Sequence, residues 1–260
     1  MRVSFLIPVF NEATTVAELV ERVLALPLDK ELIVVDDGST DGSGDILRDL
    51  AAAHPEIRLV RRRNGGKGAA LRAGIPLVTG DITVIQDADL EYDPAEVPAL
   101  IEPIATGHAD VVFGSRLSGG RPQRAHLFWH KVGNRFLSLV TGVLYNTTLA
   151  DMETGYKAFR TEVLKSLDLR ENGFSIEPEI TAKVCRRHLR IYELPISYYG
   201  RSYAEGKKIT WRDGFAALRV LVENRVTPLG PAPPARDGAA VVPLRRTAPL
   251  EAAPRSAAEG

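Results

Sequence analysis

Asp87-Ala88-Asp89 places two carboxylates one residue apart at the end of the apolar run Ile82-Thr83-Val84-Ile85. Carboxylate oxygens are what hard divalent cations prefer, and Mg2+ or Mn2+ held this way often bridges substrate phosphates. Glu91, two residues further on, offers another oxygen donor. The same spacing also suits a solvated turn in which an aspartate caps the helix that starts near Pro94. The pair therefore takes its meaning from its company.

That company is acidic and glycine-rich. Pro8-Val9-Phe10-Asn11-Glu12 and Val34-Val35-Asp36-Asp37-Gly38-Ser39-Thr40-Asp41-Gly42 each close a β-branched run with carboxylates that can accept hydrogen bonds from ribose hydroxyls and base N–H groups. Gly38 and Gly42 permit turns and close approach of the chain, and Asp41 and Ser43 also suit simple capping. Asn64-Gly65-Gly66-Lys67-Gly68 opens a helix with glycines and a lysine, a good contact for an anion. It lacks Walker A spacing, so ATPase chemistry is not supported.

Elements that position these residues are legible as an alternation. Short β-branched runs at Val3 to Phe10, Glu31 to Asp36, Ile57 to Arg61, Asp81 to Gln86 and Ala109 to Gly114 predict strands buried on both faces. Helical periodicity lies between them at Thr14 to Leu26, Asp45 to Ala53, Gly68 to Val78 and Pro94 to Thr106. The fold class is α/β, a mostly parallel sheet flanked by helices. Ligands in such sheets bind beyond the carboxyl ends of the strands, which is where the unusual residues sit. Further on, His126 to Tyr145, Pro178 to His188 and Thr210 to Val226 predict helices, and Arg190 to Tyr198 a strand. Asp151 to Lys157 reads as a loop. Residues 227–260, rich in Pro and Ala, read as a disordered tail.

Composition sets outer limits. The 260 residues are 45% hydrophobic and 25% charged, with 33 basic balanced by 33 acidic residues, so no global charge points to nucleic acid or a membrane surface. The single cysteine, Cys185, excludes an intrachain disulfide and a multi-cysteine zinc site. Met1-Arg2 runs directly into a strand pattern, and no apolar stretch approaches a spanning helix, so the expected location is cytoplasmic or at the cytoplasmic face of the membrane.

Taken together, the strand-end motifs, the glycine-lysine loop and Asp87-Ala88-Asp89 resemble glycosyltransferase family 2, in order and spacing from Arg2 to Arg116. Within that family the chain is similar to the polyprenyl-phosphate (dolichyl-phosphate) mannose and glucose synthases. Gly114-Ser115-Arg116, Asp151-Met152-Glu153-Thr154-Gly155-Tyr156-Lys157, Phe174-Ser175-Ile176-Glu177-Pro178-Glu179 and Arg201 through Lys208 carry that likeness. It implies a GT-A fold over residues 1–226, with a nucleotide-binding half at 1–116 and an acceptor half at 117–226.

The resemblance also implies roles. Pro8, Phe10, Glu12, Asp37, Lys67 and Asp87 look like nucleotide contacts. Asp89 looks like the principal metal ligand, flanked by Asp87 and Glu91; many relatives have glutamine at the last position. Arg116, Arg135, Arg201 and Lys207 resemble residues that hold donor and acceptor phosphates. The implied activity is inverting transfer of a hexose from a nucleotide sugar, of the GDP-mannose or UDP-glucose type, to a polyprenyl phosphate, with Mg2+ or Mn2+. A lipid phosphate is already an anion and needs alignment more than a base. Were the acceptor a soluble glycan or small-molecule hydroxyl, Asp151 would be the base, a role weighed equally against structuring its loop. Glu177 either contacts the donor sugar or favours its helix dipole. A non-catalytic nucleotide-sugar-binding regulator is a third alternative. His126 to Tyr145 suits a core helix better than an interfacial one, though its aromatic and basic residues leave peripheral membrane contact open.

Overall fold

The computed structural model describes residues 1–124, 128–201 and 211–230. Seven strands form one sheet: β1 (Val3–Val9), β2 (Lys30–Asp36), β3 (Ile57–Arg61), β4 (Ile82–Ile85), β5 (Val111–Ser115), β6 (Lys157–Arg160) and β7 (Ile191–Pro195). Their order is β3-β2-β1-β4-β6-β5-β7, parallel except for β6, which runs antiparallel to both neighbours. Apolar clusters cover both faces, one around Phe5, Ile7, Val34 and Val84, the other around Leu6, Ile33, Val35 and Phe113. Alternate residues of one strand thus feed opposite cores, which is why the parallel strands read as unbroken apolar runs.

The helices are α1 (Val16–Leu24), α2 (Ser43–Ala53), α3 (Lys67–Gly74), α4 (Val97–Ala105), α5 (Phe128–Tyr145), α6 (Thr161–Ser166), α7 (Ile176–Arg186) and α8 (Trp211–Val226). Helix α1 shows the rule: Val16, Leu19, Val20 and Val23, at helical spacing, are its buried residues. The helix expected over Gly68 to Val78 ends at Gly74 and tightens into a 3-10 turn, Ile75–Leu77, because Pro76 has no N–H to continue the ladder. The segment from Pro94 likewise starts as a 3-10 turn, capped by Asp93 accepting from the Ala95 amide at 3.0 Å.

Two elements differ from expectation. Lys157, expected in a loop, begins β6, and α6 follows directly. Helix α5 is also not the core helix expected: it buries only Leu137, Ser138 and Thr141, while Phe128, Trp129, Phe136, Leu139 and Val143 are 55–78% exposed. It packs on α7 and α8 at one end of the sheet. No helix among the described residues is long and apolar enough to cross a membrane. Residues 231–260, most of the expected tail, lie outside the described residues, as do His126 and Leu127.

Candidate active site

Beyond the carboxyl ends of β1, β2 and β4 lies a cleft of about 750 Å³. Its acidic corner is built by a sharp turn. Leu90 takes a left-handed conformation (φ 60°), which folds the chain back so that the Glu91 amide donates to Asp89 Oδ1 at 3.1 Å. Ala88 is buried between the two aspartates and fixes them at the cleft floor. Burial, with Asp87 and Glu91 close by, pushes the Asp89 carboxyl up to about 7 despite Arg201 nearby.

Arg201 answers that charge. Its guanidinium donates to Glu12 at 2.9 and 3.1 Å and to Asp89 Oδ2 at 3.0 Å. Glu91 accepts from the Arg201 amide at 2.7 Å and from the Tyr198 hydroxyl at 2.8 Å. Among the described residues no three His, Cys, Asp or Glu side chains converge to hold a metal ion by themselves. The all-oxygen, net-negative corner suits instead a hard cation whose remaining ligands are phosphate oxygens.

A second cation serves Asp87. Lys67, at the first position of α3, lies 2.7 Å from Asp87 Oδ1 and 3.0 Å from Glu177 Oε1. Burial disfavours its charge, but Asp87 and Glu177 outweigh that and hold its pKa well above the ordinary value. Glu177 also accepts from the fully buried Lys157 at 2.5 Å, and these two lysines keep its carboxyl ionised below the usual range against the cost of burial. Gly155 lets Asp87 and Lys67 meet: a Cβ there would collide with Asp87 Oδ2 and lie 2.7 Å from Lys67 Nζ.

The next wall comes from β5 and from the segment before β6. Asp151 is fully buried and gives both carboxylate oxygens to Arg116, which donates from Nε and Nη2 at 2.7 Å each and from its amide at 2.9 Å. Arg116 lines the cleft and lies over the Tyr198 ring, 5.3 Å from its centroid; Asp151 lies behind it, outside the lining. Tyr92 stacks on Tyr156 (5.0 Å between centroids, planes 4° apart), and its hydroxyl oxygen accepts from the Gly155 N–H at 3.1 Å. Glu153 lines the cleft between Arg116 and Glu177, and its pKa is pushed up to about 7 by burial, with Lys157 opposing and Glu177 adding to the rise.

Past this charged end the cleft becomes apolar. Helices α5 and α8 contribute Trp129, Phe136 and Leu137 from the one and Phe215 and Leu218 from the other, together with His130, Asn134 and Asp213.

The structure brings Pro8, Phe10, Glu12, Asp37, Lys67, Asp87, Asp89, Glu91, Arg116, Glu177 and Arg201 to one cleft. Asp37 is committed in part to its own loop, accepting from Arg62 and from the Gly65 and Gly66 amides. Arg135 is not in this cleft: it is exposed on α5 and lines a separate hollow with Leu117 and Thr148. Helical phase accounts for that, since His130, Asn134 and Leu137 take the inward face. Lys207, and the basic loop beyond Arg201, lie outside the described residues. Sequence reasoning assigned nothing to Glu153, Gly155, Tyr92 and Tyr198. The first two sit inside a motif already singled out, where a glutamate and a glycine between Asp151 and a buried strand were the available signal.

The sequence matches the family model described as Glycosyl transferase family 2 over residues 4–168, and the chain belongs to that family. It is 32% identical over 220 residues to an undecaprenyl-phosphate mannosyltransferase of Micrococcus luteus, covering 80% of this chain and 87% of that one. It is 31% identical over 212 residues to a dolichol-phosphate mannosyltransferase of Pyrococcus furiosus, covering 80% of this chain but 59% of the relative. Against an undecaprenyl-phosphate 4-deoxy-4-formamido-L-arabinose transferase of Edwardsiella ictaluri the identity is 32% over 215 residues, covering 79% of this chain and 62% of the relative. The chain thus spans less than two thirds of the last two. Among solved structures, glucosyl-3-phosphoglycerate synthase from Mycobacterium tuberculosis, in complex with Mn2+, UDP and phosphoglyceric acid, superposes with a TM-score of 0.67 at 23% identity, over 87% of this chain and 79% of that one. The shared architecture is the GT-A fold.

Proposed function

We propose that this glycosyltransferase moves a hexose from a nucleotide sugar to a polyprenyl phosphate, inverting the anomeric carbon. The observation that carries this reading is a single cleft with two characters. One end is lined by paired carboxylates and cations suited to a nucleoside diphosphate; the other runs between α5 and α8 toward exposed Trp129, Phe136 and Phe215. A soluble sugar or glycan acceptor has no use for an apolar arm, whereas a lipid tail does. The relatives named as undecaprenyl- and dolichol-phosphate transferases support the same acceptor class.

In this reading residues 1–116 hold the donor, 117–226 complete the acceptor side and 227–260 form a tail. Pro8, Phe10, Glu12 and Asp37 line the nucleoside position. Asp89, with Asp87 and Glu91 beside it, would hold Mg2+ or Mn2+, which would supply charge neutralisation to the diphosphate. Lys67 and Arg201 take the phosphate oxygens, Arg201 leaving Glu12 and Asp89 to do so, and Lys207 adds to them. Glu177 faces the donor sugar. Arg116, preorganised by Asp151, aligns the acceptor phosphate, whose oxygen bonds to the anomeric carbon as the bond to the departing nucleoside diphosphate breaks. No proton need be removed, and Asp151, with both oxygens given to Arg116, acts through that arginine. The exposed apolar faces of α5 and α8, with Arg135 at the edge, rest at the headgroup level of a bilayer.

Radiolabelled GDP-mannose or UDP-glucose incubated with undecaprenyl phosphate and Mn2+ tests the reading. The expected product carries label into chloroform. Label that stays in a water-soluble glycoside, or no transfer from any nucleotide sugar, overturns it.

A further inference from the structure

We propose that Glu153 is the residue that reads the hydroxyls of the donor sugar. The inference rests on the donor site proposed above and adds a determinant to it. Glu153 lines the cleft, and its Oε1 is buried with no hydrogen-bond partner among the described residues. A buried carboxyl oxygen left unpaired is costly, and such groups persist mainly where a ligand completes them.

Charge says which ligand. Cations that suit phosphate oxygens stand elsewhere in the cleft: Lys67 beside Asp87, Arg201 at Glu12 and Asp89, and Arg116 on Asp151. Lys157 and Arg116 act on Glu153 favourably, but each is already bonded, Lys157 to Glu177 and Arg116 to Asp151, and those two carboxylates act on it unfavourably. A phosphate placed there would meet repulsion from all three carboxyl groups. A neutral hydroxyl would not, and it can donate to a carboxylate or accept from a carboxyl, so it satisfies Oε1 in either protonation state. Between the diphosphate corner at Asp87 and the acceptor arginine at Arg116, the neutral, hydroxyl-rich part of the reactants is the hexose ring. A site built to hydrogen-bond a hydroxyl discriminates strongly against an analogue that misplaces it.

The test compares donor with its own leaving group. Binding of GDP, GDP-mannose, UDP and UDP-glucose is measured by calorimetry with Mn2+ on the full chain, for wild type, Glu153→Ala and Glu153→Gln. For whichever nucleotide the wild type prefers, Glu153→Ala should weaken the nucleotide sugar at least tenfold and the bare diphosphate less than twofold. Glu153→Gln, which keeps the shape and can still bond a hydroxyl, should lose less and should alter the preference between mannose and glucose donors. Equal losses for sugar nucleotide and diphosphate, no loss in either, or a change confined to the KM for undecaprenyl phosphate would overturn the assignment. Should the alanine variant fail to fold, the altered sugar preference of the glutamine variant decides it. A wild type that binds none of the four ligands removes the donor reading itself, and that outcome is distinct from the others.

Discussion

Arg201 and Glu12, 189 residues apart, meet in a two-pronged ion pair at 2.9 and 3.1 Å, and the same guanidinium reaches Asp89 at 3.0 Å. One cation thereby ties the end of β1 to the turn after β4. Removing it leaves carboxylates facing one another at close range. Arg201→Ala is expected to melt several degrees below wild type in EDTA and to gain more from Mn2+ than wild type does, because the ion replaces the missing charge. Thermal melts with and without Mn2+ check this; equal gains in the two proteins would contradict it.

Asp151 holds Arg116 rather than facing the reactants. Asp151→Asn should raise the KM for the lipid phosphate about tenfold and lower kcat by less, whereas loss of a general base typically costs about 10²–10⁴-fold in rate. Stability should fall as well, since breaking a buried pair costs about 3–5 kcal/mol. Steady-state kinetics and a denaturant midpoint separate the two roles.

Gly155→Ala places a methyl group against Asp87 Oδ2 and Lys67 Nζ. The lysine must withdraw from the aspartate, so activity should drop by at least about tenfold while the melting point moves only a few degrees. Unchanged turnover would show that the contact of Lys67 with Asp87 is dispensable.

Stability should depend on pH through Glu153. Its carboxyl titrates at about 7 in the fold against an ordinary 4.5. Below the ordinary value both states hold the proton and its contribution is fully present. Between the two values the unfolded chain has released the proton and the fold retains it, so stability falls with rising pH, by up to ~1.4 kcal/mol per unit for this group. Glu153→Gln removes that dependence. Its melting point relative to wild type should therefore be higher at pH 8 than at pH 5, by several degrees; a constant difference would contradict the assignment.

Phe128 and Trp129 are 67% and 78% exposed, so replacing both by serine should leave the melting point nearly unchanged. If α5 meets the bilayer, flotation with anionic vesicles should weaken severalfold and the KM for undecaprenyl phosphate should rise, with nucleotide binding intact.

The strand-end corner of the cleft was legible in the sequence because its signals are local. Asp37, Asp87 and Glu12 each follow a β-branched run, and strand ends converge in a parallel sheet. The part of the cleft built after β5 was less so. β6 is four residues long and carries the fully buried Lys157, so no apolar run announced it. Arg135 was placed by resemblance, and only the helical phase of α5, set by tertiary packing, turns it away from the cleft. Glu153 reveals itself through what surrounds it: Lys157, Glu177 and Arg116 are distant in the chain or hidden in a short strand.

The reversed direction of β6 has a consequence for how the protein could be re-engineered. Lys157 pairs with Ile85, the last residue of β4, and with Phe113 of β5, so the residues just before β6 arrive at the cleft while α6, just after it, leaves by the opposite rim. Neighbouring strands deliver chemistry from their exits; this one delivers it from its entrance. A graft meant to change the sugar or acceptor should therefore exchange the segment from Asp151 to Tyr156 and leave the β6–α6 junction untouched.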